Sequence, residues 1–265
     1  MRSEAHGDES SGLQVHDLAV RFAGIQALAD VSFDVAPGEI VGVIGPNGAG
    51  KTTLFNAICN FVPVAGGSIR WGGNELCGLA PEQIARMGVA RTVQALGLWS
   101  ALTPAENLAV AITGVQRAPT LRSALGWPGA RRQVERHRHA AREALARFGV
   151  ADVADVPCGE LPYGIQKRIC IARALVTRPR LLLLDEPASG LSESEFIELR
   201  SWIDELRGDC TVVVVEHHLD FVMPLSDRIV VLDFGRVLAI GTPAEIASNA
   251  EVVDAYLGEP VERTA

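Results

Sequence analysis

Hydrophobic and polar positions follow different patterns in different parts of the chain. Up to about residue 71, short alternating or continuous apolar runs predict strands at 13–21, 31–35, 39–44 and 68–71. The run at 39–44 is followed by a helical pattern at 52–60. A buried strand that leads directly into a helix is typical of an α/β fold.

A second pattern occupies the middle of the chain, from about residue 94 to residue 177. Strand signals stop there, and Ala, Arg and Leu dominate. Two stretches repeat apolar residues at helical spacing: Val134, Ala141, Leu145 and Phe148 in the first, and Ile165, Ile169, Ala172 and Val176 in the second. Pro and Gly residues between 114 and 129 predict an irregular arm. We therefore expect a helical subdomain inserted into an α/β core.

The α/β pattern returns after residue 177. Unbroken apolar runs at 181–184 and 212–215 predict parallel strands that are covered on both faces. Further strands are predicted at 228–232 and 237–240. Capping boxes at 192–195 and 242–245 predict two helix starts, the first of a helix that ends at Gly208.

Composition and charge narrow the class of protein. The 265 residues are 48% apolar and 21% charged, and the net charge of -8 does not favour nucleic acid as a partner. The five cysteines lack C-x-x-C spacing, so neither a disulfide framework nor a zinc cluster is predicted. No run approaches the roughly 18 apolar residues that cross a bilayer. Residues 1–11 have no apolar signal core and are expected to form a mobile tail, and residues 259–265 form a C-terminal tail.

The strongest chemical signal is GPNGAGKTT at 45–53, which matches G-x-x-x-x-G-K-[ST] between a predicted strand and a predicted helix. Its glycines let backbone N–H groups face a β-phosphate without a Cβ in the way. Lys51 is expected to reach the β- and γ-phosphates of ATP, and the Thr52 hydroxyl to bind Mg²⁺. The predicted nucleotide-binding residues of this loop are Gly45, Pro46, Asn47, Gly48, Ala49, Gly50, Lys51, Thr52 and Thr53.

Two other buried strands are predicted to end in catalytic side chains. The first strand lies in RLLLLDEP at 180–187 and ends in Asp185 and Glu186. Asp185 is suited to hold Mg²⁺ through the water shell of the ion, and Glu186 is suited to polarise the attacking water. TVVVVEHH at 211–218 ends at the same predicted sheet edge, where ligands of open α/β sheets bind. Only one of its adjacent histidines can point inward, and we assign His217 to the γ-phosphate.

A second glycine turn lies in ELPYGIQKRICIARAL at 160–175, at the start of a predicted helix. Such a turn suits an anion, because free N–H groups and the positive end of the helix dipole point outward. One nucleotide would not need both this turn and the loop at 45–53.

Taken in order, GPNGAGKT, Gln94, LPYGIQKRICIARAL, LLLLDEP and EHH resemble the ATPase subunits of ABC transporters over nearly the whole chain. ARMGVARTVQ, TPAENLAVA, SDRIVVLDFGRVLAIGTPAEI and AYLGE are similar to the ATPases of branched-chain amino acid importers. The resemblance implies an α/β P-loop NTPase core with an antiparallel β subdomain and an inserted helical subdomain. It also implies one ABC ATPase domain at 12–258, with the core at 12–93 and 178–258 and the helical subdomain at 94–177.

The resemblance assigns further roles. Leu161, Pro162, Tyr163 and Gly164 correspond to the signature motif, which binds the γ-phosphate of an ATP held by the other subunit of a head-to-tail dimer. Gln94 corresponds to a residue that contacts Mg²⁺ and water. Phe22 stands where the family stacks an aromatic ring on adenine, although a Phe there could also be a core residue.

The chain departs from the family pattern in two places. The usual Leu-Ser-Gly-Gly-Gln is replaced by Leu-Pro-Tyr-Gly-Ile at 161–165, and Pro162 removes both a hydroxyl and an N–H. We therefore predict a weaker ATP site at this signature. The loop after Glu186 ends in Ser192 rather than Asp or Asn, and Ser192 is expected to cap a helix.

A group of apolar side chains that follows Gln94 bears on which proteins the chain binds. Apolar residues after Gln94 indicate either a dock for a partner helix or a local hydrophobic cluster: Leu96, Leu98, Trp99 and Leu102. In the family this partner is a short cytoplasmic helix of the membrane subunit. The implied assembly has a second ATPase, a paralogue, two transmembrane permease subunits and, indirectly, an extracytoplasmic solute-binding protein.

A basic segment bears on the location of the chain. A basic helix can be a solvated face, can face nucleic acid or can lie near an anionic membrane surface, and we favour the membrane surface. Its residues are Arg131, Arg132, Arg136, Arg138 and Arg142. We expect the chain to be peripheral, at the cytoplasmic face of the inner membrane.

The predicted function is ATP hydrolysis in an importer of branched-chain amino acids or related small polar solutes. The ATPase of a lipid or lipopolysaccharide exporter would have a similar catalytic core. A soluble ABC protein that acts on ribosomes or DNA is a third possibility, but such proteins usually have two ATPase halves or a long coiled-coil insertion, which this chain lacks.

Overall fold

The computed structural model describes residues 12–92, 96–115 and 128–257. Contacts divide the chain into two compact units. The first combines the chain up to Pro81 with the chain from Leu183 onward, and the second spans Glu82–Leu182. The predicted helical subdomain at 94–177 lies within the second unit, which is longer at both ends. The domain bounds stay a prediction. The predicted tails at 1–11 and 259–265 both lie outside the described residues.

An antiparallel sheet in the first unit has the strand order β2-β1-β4-β5. Its strands are β1 (Leu13–Phe22), β2 (Ile25–Val35), β4 (Gly66–Trp71) and β5 (Asn74–Glu75). β1 pairs antiparallel with both β2 and β4. Buried and exposed residues alternate along part of β1 because one face of the sheet packs on the core. The antiparallel β subdomain is confirmed.

The second sheet of this unit has the order β10-β9-β3-β8-β7. Its strands are β3 (Ile40–Ile44), β7 (Leu181–Asp185), β8 (Thr211–Val215), β9 (Arg228–Asp233) and β10 (Arg236–Gly241). β3 runs parallel to β8 and β9. Every residue of β3, β7 and β8 is buried, as predicted for strands covered on both faces.

Five described helices belong to the first unit: α1 (Lys51–Ile58), α6 (Glu193–Asp204), α7 (Leu219–Leu225), α8 (Pro243–Ala247) and α9 (Ala250–Leu257). Both predicted capping boxes are present. Ser192 with Glu195 begins α6, and Thr242 with Glu245 begins α8. Ser192 therefore serves as a helix cap, as its sequence predicts.

The second unit contains α2 (Pro81–Arg86), β6 (Val89–Arg91), α3 (Pro104–Val115), α4 (Pro128–Arg147) and α5 (Tyr163–Leu175). Within this unit the Leu181 N–H donates to the carbonyl of Gly88, the residue before β6, at 3.0 Å. The strand β6 was not predicted, because three residues are too few for a periodic signal. None of the described helices is long and apolar enough to cross a membrane.

Helix α4 buries most of its predicted apolar face. Ala141, Leu145 and Phe148, which follows the helix, are at most 1% exposed, whereas Val134 is 50% exposed. The prediction is wrong at Val134 because the inward position one turn before Ala141 belongs to His137. Burial and the charge of Arg136 lower the pKa of His137, so the imidazole is neutral near pH 7, as a core position requires.

Candidate active site

The loop at 45–50 is held so closely by neighbouring backbone that only glycine fits at its ends. A Cβ on Gly45 would lie 2.1 Å from the Leu232 carbonyl oxygen, and one on Gly50 would lie 3.0 Å from the Ala27 carbonyl oxygen. Gly50 also has a φ of 101°, which disfavours any residue with a Cβ. The Gly235 N–H donates to the Ala49 carbonyl at 3.1 Å and fixes the far side of the loop.

Lys51 begins α1 and points back across this loop. Its side chain is buried, and its ammonium donates to the carbonyls of Gly45 and Pro46, the second at 2.8 Å. Gly50 caps α1 without a side-chain hydrogen bond, and the first N–H groups of an α-helix have no partner within the helix. A glycine cradle, a helix start and a lysine ammonium together suit the phosphates of a nucleotide.

Strands β3, β8 and β7 end at one edge of the sheet. The Glu216 N–H donates to the Val43 carbonyl at 3.3 Å, and the Glu186 N–H donates to the Val215 carbonyl at 2.9 Å. Asp185, the last residue of β7, is only 4% exposed. Glu186 follows with a φ of 47°, an uncommon backbone conformation that turns the chain sharply at the sheet edge. The sequence order predicted this meeting of the phosphate loop, the carboxylates and the histidine pair.

Sequence reasoning missed Glu216, which organises this edge. The residue is fully buried, and its Oε1 accepts a hydrogen bond of 2.7 Å from the Ala188 N–H. Its Oε2 accepts from the N–H groups of His217 at 3.1 Å and His218 at 3.4 Å. A lone carboxylate at the end of an apolar strand was the available signal, because such a group is buried only when it has partners.

The two histidines differ in their surroundings. The ring of His218, which caps α7, makes an edge-on contact with Phe196 at 6.5 Å between centroids. His217 has a side chain that is 47% exposed, with Nδ1 at 3.8 Å from Glu216 Oε2. Both histidines are exposed, and their ring centroids lie 4.1 Å apart, so both can reach a ligand. The assignment of the γ-phosphate to His217 stays a prediction.

Glu216, His217 and His218 also place possible metal-ligand atoms within 4.8 Å of one another. However, both Glu216 oxygens already accept backbone hydrogen bonds. The oxygen ligands of Thr52, Asp185 and Gln94 suit Mg²⁺, and their role as its ligands stays a prediction. Thr52 is exposed in the first turn of α1, beside the glycine cradle that suits Mg²⁺-bound phosphates.

Phe22 ends β1 and is 42% exposed. This exposure excludes the alternative that it is a core residue. The side chain is therefore accessible for stacking on a base, as the resemblance predicts.

The signature stretch at 161–165 begins α5 in the second unit. Pro162 is the N-cap of that helix and makes no side-chain capping bond. Tyr163 is 46% exposed, with the Lys167 ammonium 5.7 Å from its ring centroid. Gln166 Nε2 donates to the Leu161 carbonyl at 2.8 Å, so this amide is engaged with the motif backbone rather than replacing the glutamine that the family has at position 165.

Gln94 lies outside the described residues, but the predicted dock that follows it is described. Trp99 is 51% exposed, and Leu96, Leu98 and Leu102 are half-buried. The Trp99 side chain therefore is not part of a closed hydrophobic cluster. Its exposure beside three apolar neighbours supports the dock for a partner helix.

The basic segment is partly neutralised. Arg138 lies 3.8 Å from Glu135, and Arg142 lies 3.1 Å from Asp155. The side chain of Arg131 lies outside the described residues. The location of this segment near a membrane stays a prediction.

Comparisons with known proteins agree with this geometry. The family model described as "ABC transporter" matches residues 28–189, and the model described as "Branched-chain amino acid ATP-binding cassette transporter" matches residues 236–262. The chain is 43% identical over 249 residues to the high-affinity branched-chain amino acid transport ATP-binding protein LivG of Escherichia coli (strain K12), covering 93% of this chain and 98% of the relative. It is 42% identical over 249 residues to the high-affinity branched-chain amino acid transport ATP-binding protein BraF of Pseudomonas aeruginosa, again covering 93% of this chain and 98% of the relative.

Among solved structures, the chain is similar to an ATP-binding cassette of an ABC transporter in its ADP conformation. The TM-score is 0.79 and the identity is 28%, over 93% of this chain and 98% of that one.

Proposed function

The chain belongs to the family of ABC transporter ATP-binding proteins, and we propose that it hydrolyses ATP to drive an importer of branched-chain amino acids or related small polar solutes. The observation that carries this proposal is the meeting of the phosphate loop, Asp185, Glu186 and His217 at one sheet edge. The cargo class is supported by the 43% identity to LivG and by the family match at 236–262.

The phosphate loop binds the nucleotide. The Lys51 ammonium exchanges its bonds to the Gly45 and Pro46 carbonyls for β- and γ-phosphate oxygens. Backbone N–H groups at 48–53 donate to the same phosphates, and Phe22 stacks on the adenine. Thr52, Asp185 and Gln94 would hold Mg²⁺, which would supply positive charge beside the phosphates.

Hydrolysis transfers the γ-phosphoryl group to water. Glu186 accepts a proton as the water oxygen bonds to phosphorus, and the bond to the ADP oxygen breaks. His217 donates a hydrogen bond to the γ-phosphate and keeps it in line with the water. Glu216 holds the loops that carry both residues, so catalysis rests on positioning and charge stabilisation.

Two glycine turns serve two nucleotides. In a head-to-tail dimer, residues 45–52 bind one ATP while Leu161, Pro162, Tyr163 and Gly164 contact the ATP of the second ATPase, a paralogue. ATP favours the closed dimer, and loss of the γ-phosphate releases it. Two transmembrane permease subunits receive this motion at the cytoplasmic face of the inner membrane and are supplied by a solute-binding protein.

Purification of the complex from its native membrane tests the proposal. We expect a second ATPase and two permease subunits in the complex, and ATP-driven uptake of leucine into proteoliposomes when the solute-binding protein is added. Co-purification with a lipid exporter, or recovery of the protein with no membrane partner, would contradict it.

A further inference from the structure

Asn107 lies at the centre of a hydrogen-bonded connection in the second unit. The residue is on α3 and is fully buried. Its Oδ1 accepts from the Trp99 N–H at 3.0 Å, and its Nδ2 lies 3.1 Å from the Trp99 carbonyl. One amide side chain therefore binds both backbone groups of the residue that forms the exposed part of the dock.

The same amide reaches the segment that precedes the signature stretch. Asn107 Nδ2 lies 3.3 Å from Cys158 Sγ, as well as 3.3 Å from the Leu102 carbonyl and 3.1 Å from the Thr103 carbonyl. Burial raises the pKa of the Cys158 thiol, so the sulfur stays protonated and acts as a weak acceptor. Asn107 thus contacts both segments at once.

Backbone hydrogen bonds join the two segments directly. The Cys158 N–H donates to the Leu102 carbonyl at 2.9 Å, and the Gly159 N–H donates to the Ser100 carbonyl at 2.9 Å. A Cβ on Gly159 would lie 3.1 Å from Ser100 Cβ, so the segments are in close contact. Leu161, the first residue of the signature stretch, follows only two positions later.

The opposite end of the dock is bound to α5 itself. Arg173 donates to the Leu96 carbonyl at 3.1 Å and to the Gly97 carbonyl. Cys170 Sγ also donates to the Leu96 carbonyl, at 3.2 Å. Residues 96–102 are thus attached to the helix that begins with the signature stretch and to the turn that leads into it.

We propose that Asn107 is a positioning residue that transmits displacement of Trp99 to the signature stretch. The inference rests on the proposed function, in which a membrane partner contacts Trp99. Packed and hydrogen-bonded segments move together rather than deform independently, so a shift of the dock moves residues 161–164 relative to the ATP that they contact. Loss of the Asn107 bonds should leave nucleotide binding intact and uncouple it from the partner.

The test uses the assembled complex in proteoliposomes with Asn107→Asp, which keeps the acceptor for the Trp99 N–H and removes the Nδ2 donors. Gly159→Ala leaves Asn107 intact but brings a Cβ too close to Ser100 and so displaces the contact between the two segments. This variant replaces Asn107→Asp in the test if Asn107→Asp does not fold. Leu108→Val, at a fully buried position next to Asn107, is the control for lost stability alone. The readouts are ATP affinity, basal ATPase rate, stimulation by loaded solute-binding protein, and solute transported per ATP.

We expect both test variants to keep their ATP affinity within about twofold of wild type. The stimulation of the ATPase rate by loaded solute-binding protein should fall about tenfold, because a small misplacement of the signature stretch at a catalytic contact is costly. Leu108→Val should lose thermal stability and keep wild-type stimulation of the ATPase rate. Stimulation that falls only as far as in Leu108→Val would overturn the role of Asn107. A wild-type complex that shows no stimulation would instead contradict the proposed function, and the inference with it.

Discussion

The carboxylate of Glu216 accepts a 2.7 Å hydrogen bond from the backbone N–H of Ala188, and so connects the ends of β7 and β8. Its other oxygen accepts from the N–H groups of His217 and His218. Ala188 is two residues after Glu186. One buried side chain therefore holds the loops that carry both the proposed base and the proposed γ-phosphate ligand.

Replacing Glu216 should damage both stability and catalysis. Glu216→Ala leaves the buried Ala188 N–H without its acceptor, and also removes the acceptor of the part-buried N–H groups of His217 and His218. Because an unsatisfied buried N–H costs about 1–3 kcal/mol, we expect the free energy of unfolding to fall by about that amount or more in urea denaturation. Glu216→Gln, which keeps one carbonyl acceptor, should lose less stability and still lower kcat. A Glu216→Ala protein with wild-type stability and turnover would contradict this role.

Replacement of His217 and replacement of His218 should have different effects on catalysis. His217→Asn should lower kcat by about a hundredfold or more, because a hydrogen bond to the γ-phosphate is lost in the transition state. His218→Asn should lower thermal stability through loss of the edge contact with Phe196 and leave kcat within a few fold. Steady-state ATPase rates of the complex measure both effects. Equal rates for the two variants, or the reverse order, would show that the assignment to His217 is wrong.

Much of this site follows from local sequence patterns. The loop at 45–53, the strand that ends at Asp185 and the capping box at Ser192 each depend on a few adjacent residues, and the structure contains all three elements. The sequence also predicts that these strands end at a common edge of the sheet, because parallel buried strands end on the same side. Short motifs and their order along the sequence therefore predict which chemical groups lie at the same edge of the sheet.

Contacts between residues distant in sequence could not be predicted. Glu216 and Ala188 are 28 positions apart, and Asn107 and Cys158 are 51 apart. Nothing in the residues near Asn107 shows that its amide faces Trp99 and Cys158. Similarly, the helical spacing of Val134 cannot distinguish an inward position from the edge of a face, which is decided by the helices that pack on α4.

Trp99 should matter for assembly and not for nucleotide binding. Trp99→Asp places a charge on the exposed apolar surface, which a partner helix could bury only at a large desolvation cost. We expect ATP affinity to be unchanged and co-purification with the permease subunits to fall at least tenfold. Phe61→Asp is the matched control, because Phe61 is 56% exposed on the first unit. Full co-purification of Trp99→Asp would exclude the dock.

Pro162 should limit the activity of the assembled complex. A serine at this N-cap of α5 would provide a hydroxyl and a backbone N–H for the partner-bound γ-phosphate, and serine caps stabilise helices by about 1 kcal/mol. We therefore expect Pro162→Ser to raise the ATPase rate of the complex several-fold. The same change without the partner ATPase should have no effect on the rate. An unchanged or lower rate in the complex would contradict the weak-site prediction.

The most direct measurement is the number of ATP molecules held, in the presence of Mg²⁺, by the complex that carries Glu186→Gln together with the matching substitution in the paralogous ATPase. Because the amide cannot accept the proton from water, turnover should fall by about a hundredfold or more while ATP still binds. Size-exclusion chromatography with labelled ATP should recover a closed ATPase pair with two unhydrolysed nucleotides, and Glu193→Gln, an exposed control, should hydrolyse them. Near-normal turnover in Glu186→Gln, or a complex that never retains two triphosphates, would contradict the account.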